Sequence, residues 1–141
     1  MRISTKGRYA IQMLIDLAQH KNDGYIALKD IAGRQNISKK YLEQIVSALN
    51  KNHILQTNRG FQGGYRLAVS PERCTVGDVL RLTEGTLSPV PETEGSYSVY
   101  DDPCYFVWQG LKNVIDKYLD DITIQDIVDH LTESYANDYV I

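Results

Sequence analysis

Ser38-Lys39-Lys40-Tyr41-Leu42-Glu43-Gln44-Ile45-Val46-Ser47-Ala48-Leu49-Asn50-Lys51-Asn52 carries two patterns at once. Ser38 is a good N-cap, because its hydroxyl can accept a free N–H of the first helical turn. Leu42, Ile45, Val46 and Leu49 then fall on one side of a helix, and Lys40, Glu43, Gln44, Ser47 and Lys51 fall together on the other. Just upstream, Leu28 to Arg34 places Leu28, Ile31 and Ala32 on one side of a short helix that Gln35-Asn36 breaks. A short helix, a tight turn and a helix with a polar outer face make a helix-turn-helix, whose second helix enters a major groove.

Working outward, Ser4 or Thr5 can cap an earlier helix whose stripe is Ala10, Met13, Leu14, Leu17 and Ala18, ending at Asn22-Asp23-Gly24. Downstream, Ile54 to Asn58 and Tyr65 to Ala68 read as two strands around the glycine-rich turn Arg59-Gly60-Phe61-Gln62-Gly63-Gly64. A hairpin directly after a helix-turn-helix is the wing of a winged helix. The same glycines do not make a phosphate loop, since no Gly-Lys-Ser/Thr and no following helix close the run. Thr75-x-x-Asp78 reads as a capping box for a helix that Gly85 stops.

Residues 86–101 are rich in Pro, Gly, Ser and Glu and read as a linker. Asp102-Pro103 is expected to open a long helix, with aspartate as cap and proline in the first turn. In it Cys104, Trp108, Leu111, Ile115 and Tyr118 recur at spacings of 4, 3, 4 and 3. Such a seam, broadened by Val107, Val114 and Leu119, exceeds what one small domain covers and predicts a homodimer built on Trp108, Leu111, Ile115 and Tyr118. The same periodicity also fits an ordinary core helix. Thr123-x-x-Asp126 caps a short final helix with Ile127, Val128 and Leu131, and residues 134–141 read as a non-helical tail. The expected organisation is a winged-helix domain over 1–85, a linker over 86–102, dimerisation helices over 103–133 and the tail. The fold class is mainly α with a small β-hairpin wing.

With 141 residues, 43% hydrophobic and 23% charged, the chain has the composition of one compact domain with an added element. Its net charge of −3 hides a division. Residues 1–70 hold eleven Lys/Arg against four Asp/Glu, a surplus of +7; residues 71–141 hold four against fourteen, a deficit of −10. A basic reader joined to an acidic half has this polarity. No stretch is apolar enough to span a membrane, and Met1 to Lys6 does not read as a secretion signal. Cys74 and Cys104 are too few for a disulfide framework, which points to a reducing cytoplasm. His20, His53 and His130 lack metal-ligand spacing, and no nucleophile–base pair suggests an enzyme.

Three segments resemble the Rrf2 family of transcription regulators: Met1-Arg2-Ile3-Ser4-Thr5-Lys6-Gly7-Arg8-Tyr9-Ala10, Ile37-Ser38-Lys39-Lys40-Tyr41-Leu42-Glu43-Gln44-Ile45, and Arg59-Gly60-Phe61-Gln62-Gly63-Gly64-Tyr65. The resemblance runs to about Leu131. It implies a winged-helix head, a long dimerisation helix and a dimer on palindromic double-stranded DNA. Carried onto these positions, it makes Ser38, Lys39, Lys40, Tyr41, Glu43, Gln44 and Ser47 candidates for base or phosphate contact. Glutamate can accept from cytosine and glutamine can pair with adenine. Arg59 at the wing tip suits a narrow minor groove. Arg2, Ser4, Thr5, Lys6 and Arg8 suit phosphates, which orient the protein without reading sequence. Lys40 as a solvated charge and Tyr41 as a core residue are the plainer alternatives. Asn50, His53 and Gln62 depart from the residues usual in relatives, so no operator sequence is carried over.

One branch of the family holds an iron–sulfur cluster on three cysteines around the linker. Here the stretch from Thr86 to Trp108 contains Cys104 alone, four residues before Trp108, with Asp102 at the more usual distance of six. No cofactor and no metal site is therefore expected; a cluster using Cys104 with aspartate or tyrosine is the alternative. Cys104 reads either as a redox-sensitive thiol at a helix N-terminus or as a small buried hydrophobe on the seam, and Cys74 as structural.

Leu87-Ser88-Pro89-Val90 and the closing Tyr139-Val140-Ile141 are similar to the family's cluster-free branch of cysteine-metabolism repressors. That likeness implies a repressor whose residues Tyr139, Val140 and Ile141 dock into cysteine synthase, the carboxylate held by backbone N–H groups. An unengaged terminus is the alternative for the tail, and a non-DNA-binding adaptor the alternative for the whole chain.

Overall fold

The computed structural model describes residues 1–61 and 63–139, of 138 and 139 the backbone alone. Its elements follow one another as α1 (Thr5–Gln19), α2 (Leu28–Gln35), α3 (Lys39–Asn50), β1 (Leu55–Asn58), β2 (Gly64–Leu67), α4 (Val76–Glu84), β3 (Thr93–Glu94), β4 (Tyr97–Ser98), α5 (Tyr105–Asp120) and α6 (Ile124–Tyr139). The architecture is mainly helical with a two-stranded wing, the winged helix that the pattern of caps and stripes predicts.

Local chemistry starts the helices where expected. Ser4 Oγ accepts the Gly7 N–H at 3.0 Å and Ser38 Oγ accepts the Tyr41 N–H at 3.0 Å. Thr75 and Asp78 form a reciprocal capping box on α4, which Gly85 ends at φ +79°. Thr123 and Asp126 do the same on α6, with bonds of 2.9 and 3.0 Å.

The core is one cluster. Ala10, Met13 and Leu14 of α1 meet Ile31 of α2, Leu42, Ile45 and Leu49 of α3, and Val79 of α4, all fully buried. Among these apolar groups lies Asp16, 1% exposed. Arg34 grips it with both arms of its guanidinium, Nη2 2.7 Å from Oδ1 and Nε 3.0 Å from Oδ2, and Gln35 Nε2 donates to Oδ2 at 3.0 Å. A buried carboxylate is tolerable only when paired in this way.

Three expectations need correction. The linker over 86–102 is structured: β3 and β4 pair as a hairpin around Gly95, which takes the φ of +61° that its tight turn requires, and Val99–Asp101 forms a 3-10 turn. Residues 134–139 are not a non-helical tail but continue α6, because no proline or glycine interrupts 124–139. And α6 is not separate from the winged-helix head. It packs on α1, Ile124 joins the head's core with no exposure, and the Ile124 N–H donates to the Cys74 carbonyl at 2.9 Å. The head therefore draws on residues well beyond 85. Among the described residues no helix is long and apolar enough to cross a membrane.

The predicted opening of the long helix also shifts. The helix starts at Tyr105 with Cys104 in the N-cap position, while Asp102 Oδ1 accepts the Cys104 N–H at 2.7 Å just before it.

Candidate nucleic-acid interface

The helix-turn-helix turns at Asn36, whose left-handed φ of 53° is one that asparagine tolerates better than most side chains. Ile37, buried just after it, docks the turn into the core. With Leu42, Ile45, Val46 and Leu49 facing inward, α3 presents Lys39, Lys40, Glu43, Gln44 and Ser47 to solvent. Ser38 is exposed and serves as the N-cap.

Two contacts place the other candidate elements beside this helix. At its first turn, the half-buried Tyr41 meets Tyr9 of α1 edge to face, with ring centroids 5.7 Å apart. At its far end, Thr57 Oγ1 of β1 lies 3.5 Å from Asn50 Oδ1. The start of α1 and the root of the wing thus flank α3 at opposite ends. Tyr41 packs against the core from this position.

The wing pairs Leu55 with Leu67 through Asn58 with Gly64. Ile26 bridges the other edge of β2, exchanging two 2.8 Å hydrogen bonds with Tyr65. A Cβ on Gly64 would lie 2.2 Å from the Ile26 carbonyl oxygen, so only glycine fits there. Asn58 Oδ1 accepts the Gly60 N–H at 3.0 Å, an Asx turn that sets the tip and leaves Arg59 and Phe61 exposed. At the root, the Arg66 guanidinium lies 4.5 Å above the Tyr25 ring.

The N-terminal candidates divide. Arg2, Thr5 and Arg8 are exposed, Lys6 is half-buried, and Arg8 Nη2 donates to Thr5 Oγ1 at 3.1 Å. Ser4 is committed elsewhere: its hydroxyl donates to Glu84 Oε1 at 2.6 Å, and its N–H donates to the same oxygen at 3.0 Å. This joins the start of α1 to the end of α4. Glu84, Asp16 and Arg34 are positioning residues that sequence reasoning missed. The one local signal was an aspartate beside Met13 and Leu17 on an apolar stripe.

A second joint links α4 to α5. Arg81 donates to Asp120 at 2.7 and 3.0 Å and to Asp116 at 3.2 Å. A Cβ on Gly77 would lie 2.0 Å from Asp120 Oδ1, so the glycine lets the two helices meet. Turned by this joint, α5 divides the predicted seam. Trp108 and Ile115 are half-buried against their own chain: Trp108 Nε1 donates to Asp102, and Ile115 lines an apolar groove with Ile3, Leu80 and Leu119, at whose edge Val114 and Tyr118 also lie. Leu111 and Tyr118 instead are exposed with Val107 and Val114, Val114 at 66% and Tyr118 at 65%. Positions 107, 111, 114 and 118 thus form an exposed apolar stripe, again at heptad spacing. The apolar surface of α5 is wide enough to hold two adjacent stripes, and periodicity alone did not say which faces inward.

The cluster expected in iron-sensing relatives does not fit the residues here. Cys104 is exposed and brings a single thiol. Asp102, in the earlier position, is already taken: it accepts from Tyr97 Oη at 2.8 Å, Trp108 Nε1 at 3.2 Å and the Cys104 N–H at 2.7 Å. The Cys104 N–H, with Tyr97 and Trp108, holds the Asp102 carboxyl below the usual carboxylate range. Among the described residues no three His, Cys, Asp or Glu gather as metal ligands. Within one chain the Cys104 side chain is exposed, so its reading as a buried hydrophobe of the seam requires cover from a second copy. Cys74 is buried, and desolvation pushes its thiol up to about 11, in keeping with a structural role. Val140 and Ile141, and the Tyr139 side chain, lie outside the described residues.

Comparison with known proteins adds to this geometry. Residues 3–130 match the family model described as Rrf2, iron-dependent transcriptional regulator. The chain is 36% identical over 130 residues to the HTH-type transcriptional regulator CymR of Bacillus subtilis (strain 168), covering 92% of this chain and 91% of that protein. It is 34% identical over 132 residues to IscR of Yersinia enterocolitica serotype O:8, covering 92% and 80%. Among solved structures, CymR (YrzC), the global cysteine regulator of B. subtilis, superposes with a TM-score of 0.79 at 36% identity, covering 92% of this chain and 98% of that one. IscR of T. potens gives 0.74 at 37% identity, covering 95% and 90%. Caps, wing and outer face of α3 agree with matches spanning nearly the whole length: the chain belongs to the Rrf2 family of transcriptional regulators.

Proposed function

We propose that two copies of this chain pair through Val107, Leu111, Val114 and Tyr118 and bind a palindromic duplex as a repressor that needs no metal cofactor. The observation that carries the reading is the exposed arc of Lys39, Lys40, Glu43, Gln44 and Ser47 on α3, flanked by the start of α1 and the wing root. In this reading Glu43 and Gln44 meet base edges in the major groove. Ser38, Lys39, Lys40 and Ser47 meet bases or phosphates beside them. Arg2, Thr5, Lys6 and Arg8 hold phosphates, and Arg59 enters the minor groove. The hydroxyl of Ser4, bound to Glu84, orients this segment.

The regulated genes, in the same proposal, concern cysteine supply, and the signal is docking of Tyr139, Val140 and Ile141 into cysteine synthase. Similarity to the cysteine regulator CymR and the single thiol of the linker region support this over cluster sensing. Selecting duplexes from a random-sequence pool tests the DNA reading: it predicts a two-fold symmetric motif with half-sites about one helical turn apart. An asymmetric motif, or none, contradicts it. Titrating cysteine synthase with the full chain and with an Ile141 deletion tests the partner; equal affinity, or none for either, removes it.

A further inference from the structure

Phe61 is 103% exposed, so the fold draws nothing from its ring. It stands two positions from Arg59 across Gly60, on a tip set by the Asn58 Asx turn. The tip is sharply bent on its other side too: a Cβ on Gly63 would lie 2.6 Å from the Asn58 carbonyl oxygen. The neighbouring wing residues Gln56, Thr57 and Asn58 are exposed and polar, as a solvated hairpin should be. An uncovered phenyl beside a cation at the tip of such a hairpin has the form of an apolar wedge with a charged guide.

We infer that Phe61 is a specificity-determining residue of the wing, inserting its ring against the deoxyribose wall of the minor groove and partly unstacking a flexible base step there. This rests on the reading that the wing enters DNA. A phenyl ring offers no hydrogen bond, so it cannot read base edges; it reads how easily the duplex opens. Pyrimidine–purine steps unstack most easily, and apolar wedges in the minor groove kink the duplex at such steps. Arg59 is drawn by the negative potential of a narrow groove, and Phe61 then acts on the step beside it.

The test selects duplexes from a random pool with the wild-type chain, then compares wild type, Phe61→Ala and Phe61→Leu. The inference predicts enrichment of TA or CA/TG steps at the wing positions for wild type and its loss in Phe61→Ala. For the selected duplex, Phe61→Ala should bind about tenfold more weakly and Phe61→Leu should recover part of the loss. A 2-aminopurine placed at the enriched step should brighten on binding wild type and stay quenched with Phe61→Ala. If Phe61→Ala keeps both the step preference and the brightening, the inference is wrong while the DNA reading stands. If wild type selects no motif, both fall. If Phe61→Ala instead weakens self-association in sedimentation, the ring contacts a second copy and the inference is wrong.

Discussion

Arg34 holds Asp16 by a two-point ion pair, 2.7 and 3.0 Å long, that ties α2, the first helix of the helix-turn-helix, to the buried face of α1. Removing the cation strands a carboxylate in the core. Arg34→Met should therefore lower the unfolding free energy by about 2–3 kcal/mol, somewhat under a fully buried pair because Arg34 keeps contact with water. Urea denaturation measures it.

The same pair sets an acid limit. Burial opposes the charge of Asp16, but hydrogen bonds from Arg34 and Gln35 and the charges of Arg34 and His20 outweigh it and hold the carboxyl below its ordinary 3.8. A depressed folded value means that the stabilisation is complete well above 3.8 and is lost as pH falls through the folded value. Unfolding midpoints of wild type should thus drop on acidification below about pH 4, and Arg34→Met should show a shallower drop.

Gly77 and Arg81 act on one joint. Gly77→Ala must displace Asp120, whose Oδ1 occupies the place of the new methyl, and so breaks the Arg81–Asp120 pair. Each of Gly77→Ala and Arg81→Met should cost about 1 kcal/mol, the pair being partly solvated. Because both strike one interaction, the double variant should cost less than the two singles together. Thermal unfolding of the four proteins closes the cycle.

The outward stripe of α5 makes a separate prediction about self-association. Val114→Lys puts a charge on a residue 66% exposed in one chain, so the monomer should stay folded while the dimer dissociates. Trp108→Phe removes the bond to Asp102 and should leave the dimer intact. Sedimentation of both variants distinguishes this stripe from the one containing Trp108 and Ile115.

What could be read beforehand was local. Ser38, Thr75 and Thr123 cap helices from within their own turn, and the glycines of 59–64 mark a hairpin, so the winged helix followed from short stretches. The missed features depend on distant partners or on an absence of stops. Asp16 and Arg34 are eighteen residues apart, and Ser4 and Glu84 eighty. Glu133 to Asp138 have no apolar stripe, yet α6 continues through them because nothing ends it. The Gly95-Ser96 dipeptide was a hairpin signal inside a segment whose composition suggested only a linker. Of the candidate contacts, the outer arc of α3 and Arg59 emerge exposed as the pattern required, whereas Ser4 and Tyr41 are engaged by Glu84 and Tyr9.

The salt dependence of affinity for a selected palindromic duplex tests the central claim most directly. If α3 and the wing grip DNA through Lys40, Arg59 and the start of α1, log K should fall linearly with log salt. Lys40→Ala should reduce the slope by about 1 and weaken all duplexes alike, while Gln44→Ala should leave the slope and relax sequence preference. A slope near zero for wild type, or one unchanged by Lys40→Ala, would contradict the account.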